Sequence, residues 1–580
     1  MDIGTECSKL RPPSDLFFKT HKREVAASRG VVVSNHPLAS AAGVEMFTRD
    51  GNAFDAAAAT LFALSVVEPM MVGIFGSGHM AIRVADTGDI EAVDNYGVAP
   101  KAATEDMYTP VERRQPGQYL FETVDRKSMV GHLSVATPGS LKAWEHIVTE
   151  YGALSLPEVM EPAIRYARNG FRATPYLVYW IEHSRSDLEL YPETARVFLP
   201  GGAPPKPGDL IVRRNYAETL EKIARGGSDV LYQGELAKAV VDDMEENGGI
   251  LTLEDLAEYE LIRRKPVRGR YRDRYEIYST PPGSSGGTHI IQMLNILERF
   301  DVASLGFGSP EHLHLFAEAL KIAFADRQRY MGDPERVMVP VTELISKRYA
   351  EERAKLISLN RAGRYMPGEP MLYEGGPGNT THVSVMDSEG NIVAATQTIH
   401  FAFGSKVTTP GTGILLNNCM ALFDPHPGRA NSVAGGKRML SSMSPSIVLR
   451  DSEPFMCLGT PGGTRIFAAV CQAITNIIDF GMTIQQAVEA PRIWTMGIPG
   501  TDGENLHIEP SFPETTLEGL RERGHEIVEM ARIAGGMNGV LVDPVTGLMN
   551  GGACWRADGT PMGVSGGKAH PRALIPLHPV

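Results

Sequence analysis

Gly375-Gly376-Pro377-Gly378-Asn379-Thr380-Thr381-His382 is where this chain changes character. A Gly/Pro-rich run stops at Asn379. An alternating stretch then begins, Thr-Thr-His-Val-Ser-Val-Met-Asp over 380–387, turns at Ser388-Glu389-Gly390-Asn391 and returns as Ile-Val-Ala-Ala-Thr-Gln-Thr-Ile-His over 392–400. Period-2 alternation on both sides of a short Gly/Asn turn predicts a β-hairpin. Pairing Ser388 with Asn391 sets Thr381 opposite Thr398 and brings the hydroxyls of Thr380 and Thr398 together at the open end. A hydroxyl nucleophile needs a base, and the α-amino group of the same threonine can serve. That amine exists only if the chain is cut between Asn379 and Thr380. A glycine loop ending where a strand begins gives the Thr380 hydroxyl room to attack the Asn379 carbonyl. The stretch therefore reads as a self-cleaving precursor whose new N-terminal threonine is the nucleophile.

Outward from the hairpin, residues 359–379 lose their apolar content and read as a linker. Before them the middle of the chain is mostly helical, with i, i+3, i+4 apolar spacing in 156–169, 216–225, 236–246 and 253–259. Ser309-Pro310-Glu311 supplies a cap and a first-turn proline for a helix running to about Tyr330, and Thr342 opens another to about Ile357. Nearer the start, 31–34 reads as a strand and 38–50 as a helix. Residues 55–68 are apolar nearly all round, as suits a helix buried between layers. Residues 79–85 and 90–95 form a hairpin. Gly73-Ile-Phe-Gly76-Ser-Gly78 lacks a phosphate-loop lysine and reads as a close backbone approach. After the central hairpin, strands are expected near 413–418, 446–450 and 454–459, then helices over 465–480 and near Thr483. Strands, then helices, then strands predict a layered α/β fold.

The chain has 580 residues, 43% hydrophobic and 22% charged, which describes a globular protein with a large core. A net charge of −13 excludes a nucleic-acid-binding surface. Cys7, Cys419, Cys457, Cys471 and Cys554 are odd in number and form no C-x-x-C pair, which suits reduced thiols. Residues 1–29 are a polar tail with no apolar core of a signal peptide, and no window reaches the roughly 18 apolar residues of a membrane span. These features predict a cytoplasmic protein with no membrane partner.

Asn379-Thr-Thr-His-Val-Ser-Val385, Gly413-Ile-Leu-Leu-Asn417-Asn418, Ser441-Ser442-Met-Ser-Pro445 and Gly459-Thr-Pro461-Gly462-Gly463 occur in the order seen in the γ-glutamyltransferase superfamily, and the resemblance runs from about Gly30 to the C-terminus. It implies the four-layer αββα sandwich of N-terminal-nucleophile hydrolases. It also implies a large subunit (30–379, behind the tail) and a small subunit (380–580) sharing one core. Thr380 matches the nucleophile and Thr398 the threonine that orients it. Gly462 and Gly463 match the pair whose N–H groups bind the oxyanion. Glycine suits close backbone approach, and one such donor contributes about 2.7–4 kcal/mol. Ser441 and Ser442 match a pair at the substrate's far end, although a turn would use serines equally well.

Departures from the family pattern bear on the substrate. A zwitterionic glutamyl end calls for an arginine and an acid. Tyr96 takes the arginine's place, Leu422 the acid's, Cys419 that of a polar amide and His400 that of an asparagine. Phe423-Asp-Pro-His-Pro-Gly-Arg-Ala430, Pro281-Pro-Gly-Ser-Ser285, Val67-Glu-Pro-Met-Met-Val-Gly73 and Ala553-Cys-Trp-Arg-Ala-Asp-Gly-Thr560 resemble the class IV cephalosporin acylases, which remove a glutaryl-type side chain from an amine. The leading expectation is an amidohydrolase acting on a small-molecule acyl amide, without cofactor or metal. The active form would be a heterodimer of its own two cleavage products, with dimerisation of that unit left open. True γ-glutamyl transfer or glutathione hydrolysis is the alternative. Behind it stand a serine hydrolase at Gly283-Ser-Ser-Gly-Gly287, flanked by a strand and a helix, and a binding homologue without turnover. No H-E-x-x-H occurs, and His312 and His314 are too close in sequence to face one way on a helix.

Overall fold

The computed structural model describes residues 16–111, 121–366, 379–499, 501 and 503–565. Cys7, most of the polar tail and the Gly375–Gly378 run lie outside the described residues. Two seven-stranded sheets, antiparallel throughout, lie face to face. From edge to edge, the first runs Val25–Ala27, Met549–Ala553, Asn538–Val542, Glu453–Gly459, Ser446–Arg450, Tyr275–Ser279 and Val267–Tyr271. The second runs Thr560–Val564, Gly30–Ser34, Asn379–Asp387, Ile392–His400, Ser77–Arg83, Ile90–Asn95 and Ile262–Arg264. Each sheet therefore contains strands from both sides of the Asn379–Thr380 bond, hydrogen-bonded to one another.

Side-chain alternation along the hairpin assigns the layers. Met386, Ile392 and Ala394 meet Ile447, Cys457 and Val540 of the first sheet in a core between the sheets. Val383, Val385, Val393, Ala395 and Ile399 face the other way, into a core shared with the helices Pro37–Thr48 and Ala53–Val67. The second of these is buried along its whole length and starts with a capping box between Asn52 and Asp55. On the outer face of the first sheet, Gly286–Leu297, Pro310–Tyr330, Ile466–Ile478 and Ile484–Glu489 supply another apolar cluster. The result is the αββα sandwich expected from the resemblance.

The hairpin register differs from the expected one by a residue. Thr381 pairs with Gln397, and an irregularity between Asn379 and Thr381 sets Asn379 opposite His400. The cause is the turn. Asp387 accepts hydrogen bonds from the backbone of Glu389 (3.1 Å) and Asn391 (2.9 Å), drawing the loop in to 388–390. The strand pair therefore closes one residue sooner than Ser388–Asn391 pairing implies.

Other expectations also shift. Order begins before Gly30: Val25–Ala27 pairs with Met549–Ala553, and the Lys22 ammonium donates to the carbonyls of Cys554, Ala557 and Gly559. Residues 413–418 do not join a sheet. Ile414 and Leu416 bond back to Thr409, Val407 and Ser405 in a tight local loop. The segment after Thr342 divides into Val341–Leu344 and Lys347–Ala354, the second capped by Ser346. The helix expected over 465–480 opens as a 3-10 turn at Gly463–Arg465. Gly76 and Gly78 do mark a close approach: a Cβ on either would lie 2.4 or 2.3 Å from the carbonyl oxygen of Thr398 or Thr396 on the neighbouring strand.

Candidate active site

Thr380 is buried at the mouth end of the hairpin, on the face turned toward the first sheet. Its hydroxyl lies 3.5 Å from that of Thr398, which also accepts the His400 N–H at 2.8 Å. The irregular pairing at Thr380 leaves His400 in the left-handed region, φ 77°. On the opposite face, Thr381 donates to Glu68 Oε2 (2.6 Å) and accepts from Asn35 Nδ2 (3.1 Å). Burial pushes the Glu68 carboxyl up to about 8. His382 is a structural residue. Its ring nitrogens bond Thr396 and Ser384 at 2.8 and 3.0 Å, and burial lowers its pKa to about 3.

Thr380 separates two cavities. The outer one, about 280 Å³, is walled by Met71, Tyr176, Trp180, Arg465 and Arg532 and includes Gly462. The inner one, about 30 Å³, is lined by Tyr96, Thr398, His400, Leu422, Ser441 and Ser442 and includes Gly463. The glycine pair thus straddles the nucleophile. Gly462 has φ 142°, and a Cβ there would meet Ala534 Cα at 2.7 Å. Gly463 opens the turn that leads into Ile466–Ile478, where backbone N–H groups lack helical partners.

The structure brings together all the expected site residues but one. Tyr96 stacks on His79 with ring centroids 4.9 Å apart. Its backbone carbonyl is held by Arg438 (2.6 Å) and Tyr259 (3.1 Å). Leu422 and Ser441 line the inner cavity; the Ser441 hydroxyl accepts the Met443 N–H at 3.1 Å, so it serves a turn there as well. Burial, with Lys406 nearby, lowers His400 to about 3 and keeps its imidazole neutral. Cys419 is the exception. It sits behind the cavity with Sγ 3.2 Å from Ser77 Oγ, and burial pushes its thiol up to about 12. The preceding amides are clamps: Asn417 bonds the carbonyls of Phe75 and Ala136, and Asn418 that of Met129. Asn379 stands in the strand one residue before the nucleophile.

Arg327 was missed by sequence reasoning. This buried guanidinium projects from the helix Pro310–Tyr330 into the inner cavity, donating to Ser285 Oγ and Ser442 Oγ at 2.9 Å each. Nothing local marks it, since Asp326, Gln328 and Arg329 around it are polar or charged as well. The same contacts dispose of the serine-hydrolase alternative. A strand, a loop and a helix do flank Gly283–Gly287, but Ser284 donates to Met443 O (2.6 Å) and Ser285 to Ser441 O (2.9 Å). These hydroxyls hold the 441–443 segment in place.

Away from the site, His314, Glu318 and His525 converge with ligand atoms within 4.8 Å of one another. His314 and Glu318 are spaced i and i+4, a signal that a search for H-E-x-x-H passes over. The Lys321 ammonium already occupies Glu318 at 2.7 Å, and His314 Nδ1 meets His525 Nε2 at 2.8 Å. A cation would have to displace both contacts.

The gamma-glutamyltranspeptidase family model matches residues 39–564. This chain belongs to that family. It is 49% identical to the acylase ACY 1 proenzyme of Pseudomonas sp. (strain SE83), over 97% of this chain and 98% of that one. It is 38% identical to the glutathione hydrolase proenzyme of Escherichia coli (strain K12), over 90% and 89%. Among solved structures, the cephalosporin acylase from Bacillus halodurans superposes with a TM-score of 0.83 at 30% identity, covering 96% of this chain and 99% of that one. The protein is therefore an enzyme of the N-terminal-nucleophile class, and the sandwich around Thr380 is the family's fold.

Proposed function

We propose that the protein cuts itself between Asn379 and Thr380 and then hydrolyses an acyl amide through an ester on Thr380. The observation that carries this reading is the Thr380 hydroxyl, 3.5 Å from Thr398, set between two cavities with Gly462 on one side and Gly463 on the other. In the first stage the hydroxyl adds to the Asn379 carbonyl, the C–N bond breaks, and water releases residues 380–580 with a free α-amine. In turnover that amine takes the hydroxyl proton as oxygen attacks the substrate amide. The Gly462 and Gly463 N–H groups stabilise the oxyanion. The proton passes to the departing amine, and water, deprotonated by the same α-amine, hydrolyses the ester. The inner cavity takes the acyl chain and the wider outer cavity the amine. Water is the acceptor; the outer cavity also has room for an amine, which would make the enzyme a transferase. The two cleavage products stay together as a heterodimer, an arrangement supported by both sheets containing strands of each.

The acyl group is read as dicarboxylic. Among the described residues lining the inner cavity none is acidic, and Leu422 stands where an acid would meet the α-ammonium of a glutamyl group. Burying that ammonium unpaired costs several kcal/mol. The 49% identical relative bears an acylase's name, which agrees. Glutathione hydrolysis is the second reading, supported by the relative from Escherichia coli. Cytoplasmic residence belongs to the proposal too; the four described cysteines are buried and unpaired, as suits a reducing compartment. Glutaryl and γ-glutamyl 4-nitroanilides measured side by side decide between the readings. The glutaryl compound is expected to have a kcat/KM at least about tenfold higher, equivalent to ~1.4 kcal/mol. Faster cleavage of the γ-glutamyl compound would replace the acylase reading with the glutathione one.

A further inference from the structure

We propose that Arg327 determines acyl specificity by holding the distal carboxylate of a dicarboxylic acyl chain. This rests on the acyl-amide reading above and names the group that reads the far end of the chain. Three observations converge. The guanidinium lies in the same narrow cavity as Thr380 and Thr398 and is 2% exposed, so its charge acts where water is largely excluded. Two loops orient it: Ser285 takes its Nε–H and Ser442 its Nη2–H, each at 2.9 Å, and Ser285 is itself anchored on Ser441 O. Such a fixed planar fork matches a carboxylate better than a mobile ammonium would.

The third observation is the chemistry between the two ends. Leu422, Leu440, Met443 and Ile466 line the cavity that contains both the nucleophile and Arg327. The lining thus combines the Thr380 hydroxyl and Gly463, apolar side chains, and a guanidinium with serine hydroxyls, the groups that a carbonyl, a few methylenes and a carboxylate would each meet once the cavity, about 30 Å³ here, widens around the chain. His400, neutral through burial and its Lys406 neighbour, adds no charge. The same arrangement disfavours a glutamyl chain. Its α-ammonium, next to the carboxylate, would face Arg327 as a like charge, with no acid among the described lining residues to offset it. Arg327 thus does from the helix Pro310–Tyr330 what Tyr96, just past the strand Ile90–Asn95, does not.

The test compares glutaryl 4-nitroanilide with the pentanoyl compound, which has the same chain length and no carboxylate. It uses the full protein as wild type, Arg327→Gln and Arg327→Lys. Titration of each protein with glutarate by calorimetry adds a readout that needs no turnover. Wild type is expected to favour the glutaryl compound by about 100-fold in kcat/KM, with the ratio falling below about tenfold in Arg327→Gln, chiefly through KM. Arg327→Lys should recover part of the ratio, and glutarate affinity should fall at least about tenfold in Arg327→Gln. A wild type that cleaves both compounds equally overturns the proposal whether or not a variant folds. If neither anilide is cleaved, the acyl-amide reading fails, and glutarate still reads Arg327 directly. Binding lost in Arg327→Gln supports its role, whereas absent binding or binding unchanged by the substitution refutes it.

Discussion

Thr398 can be changed without touching the nucleophile. Its hydroxyl meets Thr380 and accepts the buried His400 N–H, so Thr398→Ala should lower kcat at least about tenfold while KM stays within about twofold. Thr398→Ser should restore most of the rate, and steady-state kinetics on all three proteins would expose a wrong role if Thr398→Ala kept full kcat. Glu68 offers a pH test. Its carboxyl, ordinarily near 4.5, is raised to about 8 by burial, so the folded protein keeps a proton across this window that the unfolded chain has released. The stability this contributes is complete below about pH 4.5 and is lost as pH rises through about 8. Thermal melts should therefore show the wild type losing stability from pH 5 to 8 more steeply than Glu68→Gln, whose amide oxygen can still accept from Thr381. Parallel curves would refute the assignment. At this scale the closeness of Thr380 and Thr398 could be read from the hairpin, and the place of the glycine pair beside them from the resemblance its motif carries. Arg327 could not, since Ser285 and Ser442, 42 and 115 residues away in sequence, create its site.

The turn of the hairpin ties two elements together. Asp387 accepts from Glu389 N, Asn391 N, Asn391 Nδ2 and also Ala53 N, at 2.9–3.1 Å, joining the nucleophile's strand to the N-terminus of the buried helix Ala53–Val67. A carboxylate there also meets the positive end of the helix. Asp387→Ala should cost at least about 2 kcal/mol, because buried donors lose a charged acceptor. A clear fall in melting temperature checks this, and an unchanged melt would show that the Asp387 contacts do not stabilise the junction. The hairpin itself was readable from period-2 alternation, but its register was not. The Asp387 side-chain-to-backbone contacts lengthen the loop by a residue, from 389–390 to 388–390, and a one-residue slip changes every partner across the strands. For 413–418 the apolar run Ile-Leu-Leu looked like a strand. It is buried by folding back on 405–409, which no pattern within the run reveals.

Across the whole molecule, the cut proposed at Thr380 separates nothing in space. In the second sheet the strands Asn379–Asp387 and Ile392–His400 lie between Gly30–Ser34 and Ser77–Arg83, and Thr560–Val564 closes the edge beyond Gly30–Ser34. The first sheet likewise joins Ser446–Arg450 to Tyr275–Ser279, and Met549–Ala553 to Val25–Ala27. Layer order was legible from the ordered motifs and the resemblance they carry; local patterns alone gave only strands and helices in sequence. The polarity of residues 16–29 matches a solvated tail and gives no sign of their docking, in which Lys22 spends its charge on three carbonyls of the C-terminal segment. The central claim is that Thr380 becomes an N-terminal nucleophile, and the mass and N-terminal sequence of the denatured, purified protein test it most directly. The account predicts two pieces, the smaller having 201 residues and beginning at Thr380. It also predicts a Thr380→Ala protein that stays a single inactive chain of 63.0 kDa. A wild-type chain that remains uncut and fully active would contradict it.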